Sequence, residues 1–175
     1  MELATCHVGG TKGGTVMETN KNLENVLGEM LVNRNLTIST AESCTGGMVA
    51  AKLINYAGIS SVFMEGAVTY SNEAKINRLG VSKETLDEYG AVSSEVAAEM
   101  AQGIAKTAGT NIGLSTTGIA GPGGGSVEKP VGLVYVGLYI NGEVKTKMLQ
   151  LSGDRQEIRE KATTQLLDLL RKELL

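Results

Sequence analysis

A chain of 175 residues, with 42% hydrophobic and 20% charged residues, has the composition of one globular domain with a buried core. Its net charge of −3 argues against a nucleic-acid-binding surface, because phosphate backbones require clustered lysine and arginine. No apolar run approaches the ~20 residues of a membrane span, and the N-terminus lacks the apolar core of a signal peptide, so we expect a cytoplasmic protein.

The first sixteen residues differ from the rest of the chain. Four glycines between positions 9 and 14 interrupt a segment with almost no apolar pattern, which predicts a flexible leader over residues 1–16 and one domain over residues 17–175. The leader contains Cys6 and the single histidine, His7. Without a CxxC pair or a second histidine, we expect no disulfide framework, no zinc site and no cofactor, although carboxylate sites for Mg²⁺ stay open.

Beyond the leader, apolar patterns typical of helices alternate with short runs typical of strands. The predicted helices cover 23–31, about 45–56, a short stretch up to Leu79, 82–90, 93 or 94 to 109, and a last segment from Asp154 onward. The predicted strands cover 36–40, 62–70, 112–117, 131–140 and 143–151, and Asn141-Gly142 indicates a hairpin between the last two. This order predicts a mixed sheet covered by helices on both faces.

Residues 42–47, Glu-Ser-Cys-Thr-Gly-Gly, lie at the junction of a predicted strand and a predicted helix. The amides that open a helix lack partners within it, so they can hold a phosphate or a developing oxyanion. A nucleophilic Ser43 beside them indicates acyl transfer, and the alternative is that Ser43 or Thr45 only caps the helix. A Ser–His–Asp triad would have to recruit His7 from the leader, so we expect a lysine base for Ser43.

Residues 70–75, Tyr-Ser-Asn-Glu-Ala-Lys, follow the next predicted strand. If Asn72 is the N-cap, Lys75 lies in the first turn of a helix, where the helix dipole lowers the pKa of a lysine and favours a general base. The alternative is a lysine that extends into solvent. Tyr70 is either a hydrogen-bond donor to a substrate or an ordinary interface aromatic.

A glycine-rich loop from Gly118 to Lys129 follows the third predicted strand and Thr117. Such a loop exposes backbone N–H groups to an anion, but it matches neither a P-loop nor the dinucleotide fingerprint, and a flexible connection is the alternative. Arg155 and Arg159, in the first turns of the last helix, either bind a phosphate or pair with nearby glutamates. The three polar junctions fit one crevice at the edge of an α/β sheet.

Four segments together resemble the CinA C-terminal domain family: Ala-Glu-Ser-Cys-Thr-Gly-Gly (41–47), Tyr-Ser-Asn-Glu-Ala-Lys (70–75), Thr-Gly-Ile-Ala-Gly-Pro-Gly-Gly-Gly (117–125) and Ser-Gly-Asp-Arg (152–155). The likeness runs from about Asn22 to the C-terminus, in the family's order and spacing. It implies a single-domain three-layer α/β/α sandwich with a mixed sheet, usually a homo-oligomer, that needs no metal. A larger nucleotide pyrophosphatase-like domain precedes this domain in some members, and its absence here indicates the stand-alone form.

Members of this family are nicotinamide-nucleotide amidases, so the resemblance implies hydrolysis of nicotinamide mononucleotide (NMN) to nicotinate mononucleotide and ammonia. It implies that Ser43 is the nucleophile, that Lys75 is its base, and that Tyr70 and Thr117 assist at the carboxamide. The residues expected to contact the pyridine nucleotide are Cys44, Thr45, Gly46, Gly47, Asn72, Gly118, Gly121, Gly123, Gly124, Arg155 and Arg159. The alternatives are a catalytically silent nucleotide-binding module and an accessory protein of competence or DNA repair.

Overall fold

The computed structural model of the protein describes residues 22–175 and contains one five-stranded sheet. Its strands are β1 (Ile38–Glu42), β2 (Phe63–Val68), β3 (Ile112–Gly118), β4 (Leu133–Ile140) and β5 (Glu143–Gln150). Their order across the sheet is β2-β1-β3-β4-β5. β1 is parallel to both β2 and β3, whereas β4 is antiparallel to β3 and to β5. The predicted mixed sheet is therefore confirmed.

Among the described residues, six helices cover the two faces of this sheet. They are α1 (Leu23–Asn33), α2 (Met48–Ile54), α3 (Asn72–Leu79), α4 (Lys83–Tyr89), α5 (Ser94–Ala108) and α6 (Arg155–Glu173), with a 3₁₀ turn at Ile59–Ser61. α1, α2 and α6 pack on one face around one apolar cluster, and α3, α4 and α5 enclose a second cluster on the other face. This arrangement is the expected three-layer α/β/α sandwich in a single domain.

α5 lies directly on the strands because the contact residues are small. A Cβ at Gly113 or Gly137 would overlap the carbonyl oxygens of Ala101 and Ala97, respectively, so only glycine permits this close approach. The predicted starts of α5 and α6 are also present: Ser93 caps α5, and Asp154 with Glu157 forms a capping box at α6.

The predicted leader, with Cys6 and His7, lies outside the described residues. Within the part of the chain that the structure describes, none of the helices is long and apolar enough to cross a lipid bilayer.

Candidate active site

The carboxyl ends of β1, β2 and β3 meet at one edge of the sheet because the three strands are parallel. Glu42, the last residue of β1, pairs in register with Val68 on one side and Thr116 on the other. Two further backbone bonds extend the pairing past the strand ends, from Thr69 N to Glu42 O (2.9 Å) and from Ser43 N to Thr116 O (3.0 Å). The structure thus brings the three predicted polar junctions together.

Ser43 and Lys75 are in direct contact at this edge. Lys75 Nζ lies 3.3 Å from Ser43 Oγ, 2.9 Å from the carbonyl oxygen of Thr69 and 3.3 Å from that of Tyr70. Both side chains are buried, and Lys75 is only 1% exposed, so the alternative of a solvent-extended lysine is wrong. A serine hydroxyl beside a buried amine has the geometry of a nucleophile with its base.

Burial lowers the pKa of Lys75 below its ordinary value, because a charged ammonium loses hydration when it is enclosed. The two carbonyl oxygens accept N–H bonds from the amine. A neutral amine has only two N–H groups, so these bonds would direct its lone pair toward the third neighbour, Ser43 Oγ. This is the orientation in which an amine accepts the hydroxyl proton.

The N-cap of α3 is Ser71, whereas from the sequence we had considered Asn72 for this position. Ser71 Oγ accepts from Ala74 N (3.1 Å), while Asn72 is the first helical residue and its side chain is exposed. Serine competes equally well with asparagine for this position, so the sequence pattern did not separate the two. Lys75 therefore lies one residue deeper in α3 than expected, and burial is the principal cause of its lowered pKa.

Cys44, the neighbour of Ser43, carries an unreactive thiol. Burial raises the pKa of Cys44 to about 11. Since the thiolate is the reactive form of cysteine, the thiol is a poor nucleophile near pH 7. Cys44 is part of the buried apolar cluster and also lines the cavity described below, so we assign no chemistry to its thiol.

Two residues that sequence reasoning missed, Glu42 and Thr116, hold the turn that carries Ser43. Glu42 Oε2 accepts from the hydroxyl of Thr45 at 2.6 Å. Thr116 Oγ1 lies 2.7 Å from Thr45 Oγ1. Because a carboxylate only accepts, Thr45 donates to Glu42, and Thr116 in turn donates to Thr45. The only sequence signal was an acidic residue at a strand end immediately before a turn rich in hydroxyls.

α2 begins later than predicted because Glu42 and two glycines shape its first turn. Gly46 and Gly47 have φ of +59° and +99°, a region that glycine enters readily. The Glu42 carboxylate accepts from the amides of Gly47, Val49 and Ala50 at 2.9 to 3.1 Å. These amides of α2 are therefore already bound to an internal anion. Neither Ser43 nor Thr45 caps the helix, so that alternative is wrong.

A cavity of about 200 Å³ opens beside the Ser43 turn. Its wall consists of Cys44, Tyr70, Gly118, Ile119, Ala120, Gly121, Gly123, Gly124 and Arg155. Arg155 donates to the carbonyl oxygen of Gly121 (2.7 Å) and to Tyr70 Oη (3.2 Å), so one guanidinium joins the glycine-rich loop to the end of β2. Within residues 22–175, the amides of Gly121, Gly123 and Gly124 donate to no protein acceptor.

Two residues expected at the site make other contacts. The Thr117 hydroxyl donates to the carbonyl oxygen of Ala91 (2.6 Å), which directs it toward the start of α5. Arg159 donates to the carbonyl oxygens of Cys44 (3.1 Å) and Thr45 (2.9 Å) and does not line the cavity. The roles expected for Thr117 and Arg159 at the substrate stay predictions.

The protein is thus an α/β/α sandwich. It carries a buried serine–lysine pair at the edge of the sheet where its parallel strands end. A family model described as the CinA C-terminal domain matches residues 20–174. The chain belongs to this family, so the resemblance noted in the sequence is confirmed.

Curated relatives and solved structures agree with this assignment. A protein of Clostridium acetobutylicum, a competence-damage inducible protein by name, is 70% identical over 153 residues, which are 87% of this chain and 37% of that protein. The chain thus spans little more than a third of the length of this relative. The crystal structure of a competence damage-inducible protein from Klebsiella pneumoniae has a TM-score of 0.84 at 38% identity and covers 87% of this chain and 94% of its own. A competence/damage inducible protein from Agrobacterium tumefaciens has a TM-score of 0.79 at 41% identity, with coverages of 88% and 97%.

Proposed function

We propose that this chain is an amidohydrolase that converts NMN to nicotinate mononucleotide and ammonia through a Ser43 acyl-enzyme. The observation that carries the proposal is the 3.3 Å contact between Ser43 Oγ and the buried Lys75 Nζ. The family resemblance supplies the substrate class. The buried amine of Lys75 beside Ser43 supports the lysine base that we expected from the sequence in place of histidine.

In the proposed reaction, Ser43 Oγ attacks the carboxamide carbon while neutral Lys75 takes the hydroxyl proton. The tetrahedral intermediate collapses as Lys75 returns a proton to the departing ammonia. Water then attacks the acyl-enzyme ester while Lys75 takes its proton. The second tetrahedral intermediate collapses as Lys75 returns this proton to Ser43 Oγ, which releases the nicotinate product. Tyr70, 62% exposed at the cavity wall, is positioned to contact the substrate.

Two backbone amides are suited to stabilise the oxyanion. The amides of Cys44 and Thr45 donate to no acceptor on another residue of the range 22–175, whereas the amide of Gly46 donates to the carbonyl oxygen of Ser43 (3.1 Å). Backbone N–H groups beside a nucleophile are a common means of stabilising a developing oxyanion.

The phosphate of the nucleotide would bind at the other end of the cavity. The donors at that end are the Arg155 guanidinium and the amides of Gly121, Gly123 and Gly124, which have no protein acceptor within residues 22–175. An arginine together with backbone N–H groups is a common recognition site for phosphate. The N-terminus of α2 is less suitable, since Glu42 already occupies it.

Ammonia release tests the proposal. We expect the purified chain to release ammonia from NMN, with lower kcat/KM for nicotinamide riboside and free nicotinamide, which lack the phosphate. Arg155→Met should raise KM for NMN far more than for the riboside. Binding of NMN without any release of ammonia would contradict the proposal and favour the silent nucleotide-binding module.

Metal removal gives a second test. We expect prolonged dialysis against EDTA to leave the rate of ammonia release unchanged, because an acyl-enzyme route with a lysine base needs no metal-bound water. A parallel sample dialysed without EDTA is the control. If EDTA abolishes the rate and added Mg²⁺ or Zn²⁺ alone restores it, the Ser43–Lys75 mechanism is wrong.

A further inference from the structure

One buried carboxylate binds the N–H and O–H donors of the turn that carries Ser43 and of the start of α2. Glu42 is 1% exposed and accepts from the Thr45 hydroxyl and from the amides of Gly47, Val49 and Ala50. Three of these donors bind Oε2 and one binds Oε1, so the carboxylate is engaged by its own turn and the start of α2 rather than open to a substrate. Its contacts fix the turn relative to the first residues of α2.

One guanidinium from a distant part of the chain binds the backbone carbonyls of the same turn. Arg159 Nε donates to Cys44 O at 3.1 Å and Nη2 donates to Thr45 O at 2.9 Å. The remaining Nη1 donates to Gln156 Oε1 at 3.1 Å, so each of the three guanidinium nitrogens has an acceptor. A side chain at position 46 would approach Arg159 Nη2 to 3.3 Å, so glycine there leaves room for the contact.

These contacts determine the direction of an amide that matters for catalysis. Cys44 C=O and Thr45 N–H belong to one planar trans peptide, so they point in opposite directions. When Arg159 holds the carbonyl, the Thr45 N–H is fixed within that plane and points away from Arg159. The Thr45 amide, beside Ser43, donates to no acceptor among the described residues 22–175.

We propose that Glu42 and Arg159 are positioning residues that hold the Ser43 turn in place, and that Arg159 is not a ligand of the substrate phosphate. This inference rests on the proposed function, since it assigns both residues to the same reaction. Glu42 acts on the donors of the turn and Arg159 on its carbonyls. Together they keep Ser43 Oγ and the free amides in the geometry that acyl transfer requires.

The decisive variant is Arg159→Lys, which keeps the charge but cannot bind both carbonyls and Gln156 in one plane. We expect kcat to fall about 10- to 100-fold, by the same factor for NMN and for nicotinamide riboside, with little change in either KM. The matched control is Arg171→Lys on the same helix, where the arginine only pairs with Asp168 at the surface. A rise in KM for NMN alone, with kcat unchanged, would show that Arg159 binds the phosphate and would overturn the proposal.

A fluorophosphonate that labels nucleophilic serines gives a readout independent of any amide substrate. We expect Arg159→Lys and Glu42→Gln to label Ser43 more slowly than the wild type, by a factor similar to the fall in kcat. Glu42→Gln keeps the shape of the side chain but loses the charge and one acceptor. Labelling at the wild-type rate in a folded Arg159→Lys variant would contradict the positioning role. If Glu42→Gln fails to fold, the labelling rate of Arg159→Lys alone tests the proposal.

The two experiments separate this inference from the proposed function. A wild-type protein that is labelled at Ser43 but releases no ammonia from NMN would refute the proposed substrate. The labelling rates of the variants would still test whether Glu42 and Arg159 position the Ser43 turn.

Discussion

Replacing Ser43 with alanine is expected to lower turnover at least ~10³-fold, whereas Cys44→Ala should leave most of the activity. Ser43 Oγ contacts Lys75 Nζ, and the buried Cys44 thiol, with its pKa raised to about 11, is ionised in about one molecule in 10⁴ at pH 7. Any contribution of Cys44 to the oxyanion comes from its backbone amide, which alanine keeps. Ammonia release from NMN by the two variants and the wild type measures the difference.

Mass spectrometry of the intact protein supplies the control for this prediction. A covalent adduct formed by a serine-directed reagent should appear in the wild type and in Cys44→Ala but not in Ser43→Ala. An active Ser43→Ala variant that loses its activity when Cys44 is alkylated would reverse the assignment of the nucleophile.

Much of the fold follows from local sequence signals. The Asn141-Gly142 turn, the capping box at Asp154 and the alternation of helical and strand patterns are local features, and the structure contains each of them. The differences lie at the boundaries. β1 was predicted at 36–40 but runs through Glu42, because burial between β2 and β3 holds residues of weak strand propensity in the sheet.

The site was less accessible to sequence reasoning because its polar network is assembled from distant segments. Thr116 and Arg159 contact the Ser43 turn from β3 and α6, more than 70 and 110 positions away in the chain. No local pattern encodes such a contact. Conversely, the sequence indicated free amides at the start of α2, but the side chain of Glu42 folds back and binds them.

Lys75→Arg is expected to be as inactive as Lys75→Met, since arginine keeps the positive charge but cannot release its proton near neutral pH. In the wild type, kcat/KM should rise with pH along a single limb. Its midpoint should lie below the ordinary lysine value of 10.5, because burial lowers the pKa of Lys75. Ammonia release measured across this pH range tests both statements. If Lys75→Arg keeps near-normal turnover, Lys75 is only an electrostatic anchor and another base must exist.

The same lowered pKa makes a prediction about stability. In the unfolded chain Lys75 regains its ordinary pKa of 10.5, so between the folded and unfolded pKa values the unfolded state binds more protons. The free energy of unfolding of the wild type relative to that of Lys75→Met should therefore rise with pH in that window. Below the window, where Lys75 is charged in both states, burial of the charge should destabilise the wild type most. The carbonyls of Thr69 and Tyr70 lose their donor in Lys75→Met at every pH, which shifts the comparison by a constant. Chemical denaturation of both proteins at several pH values measures the slope, and a difference independent of pH up to 10.5 would contradict a lowered pKa.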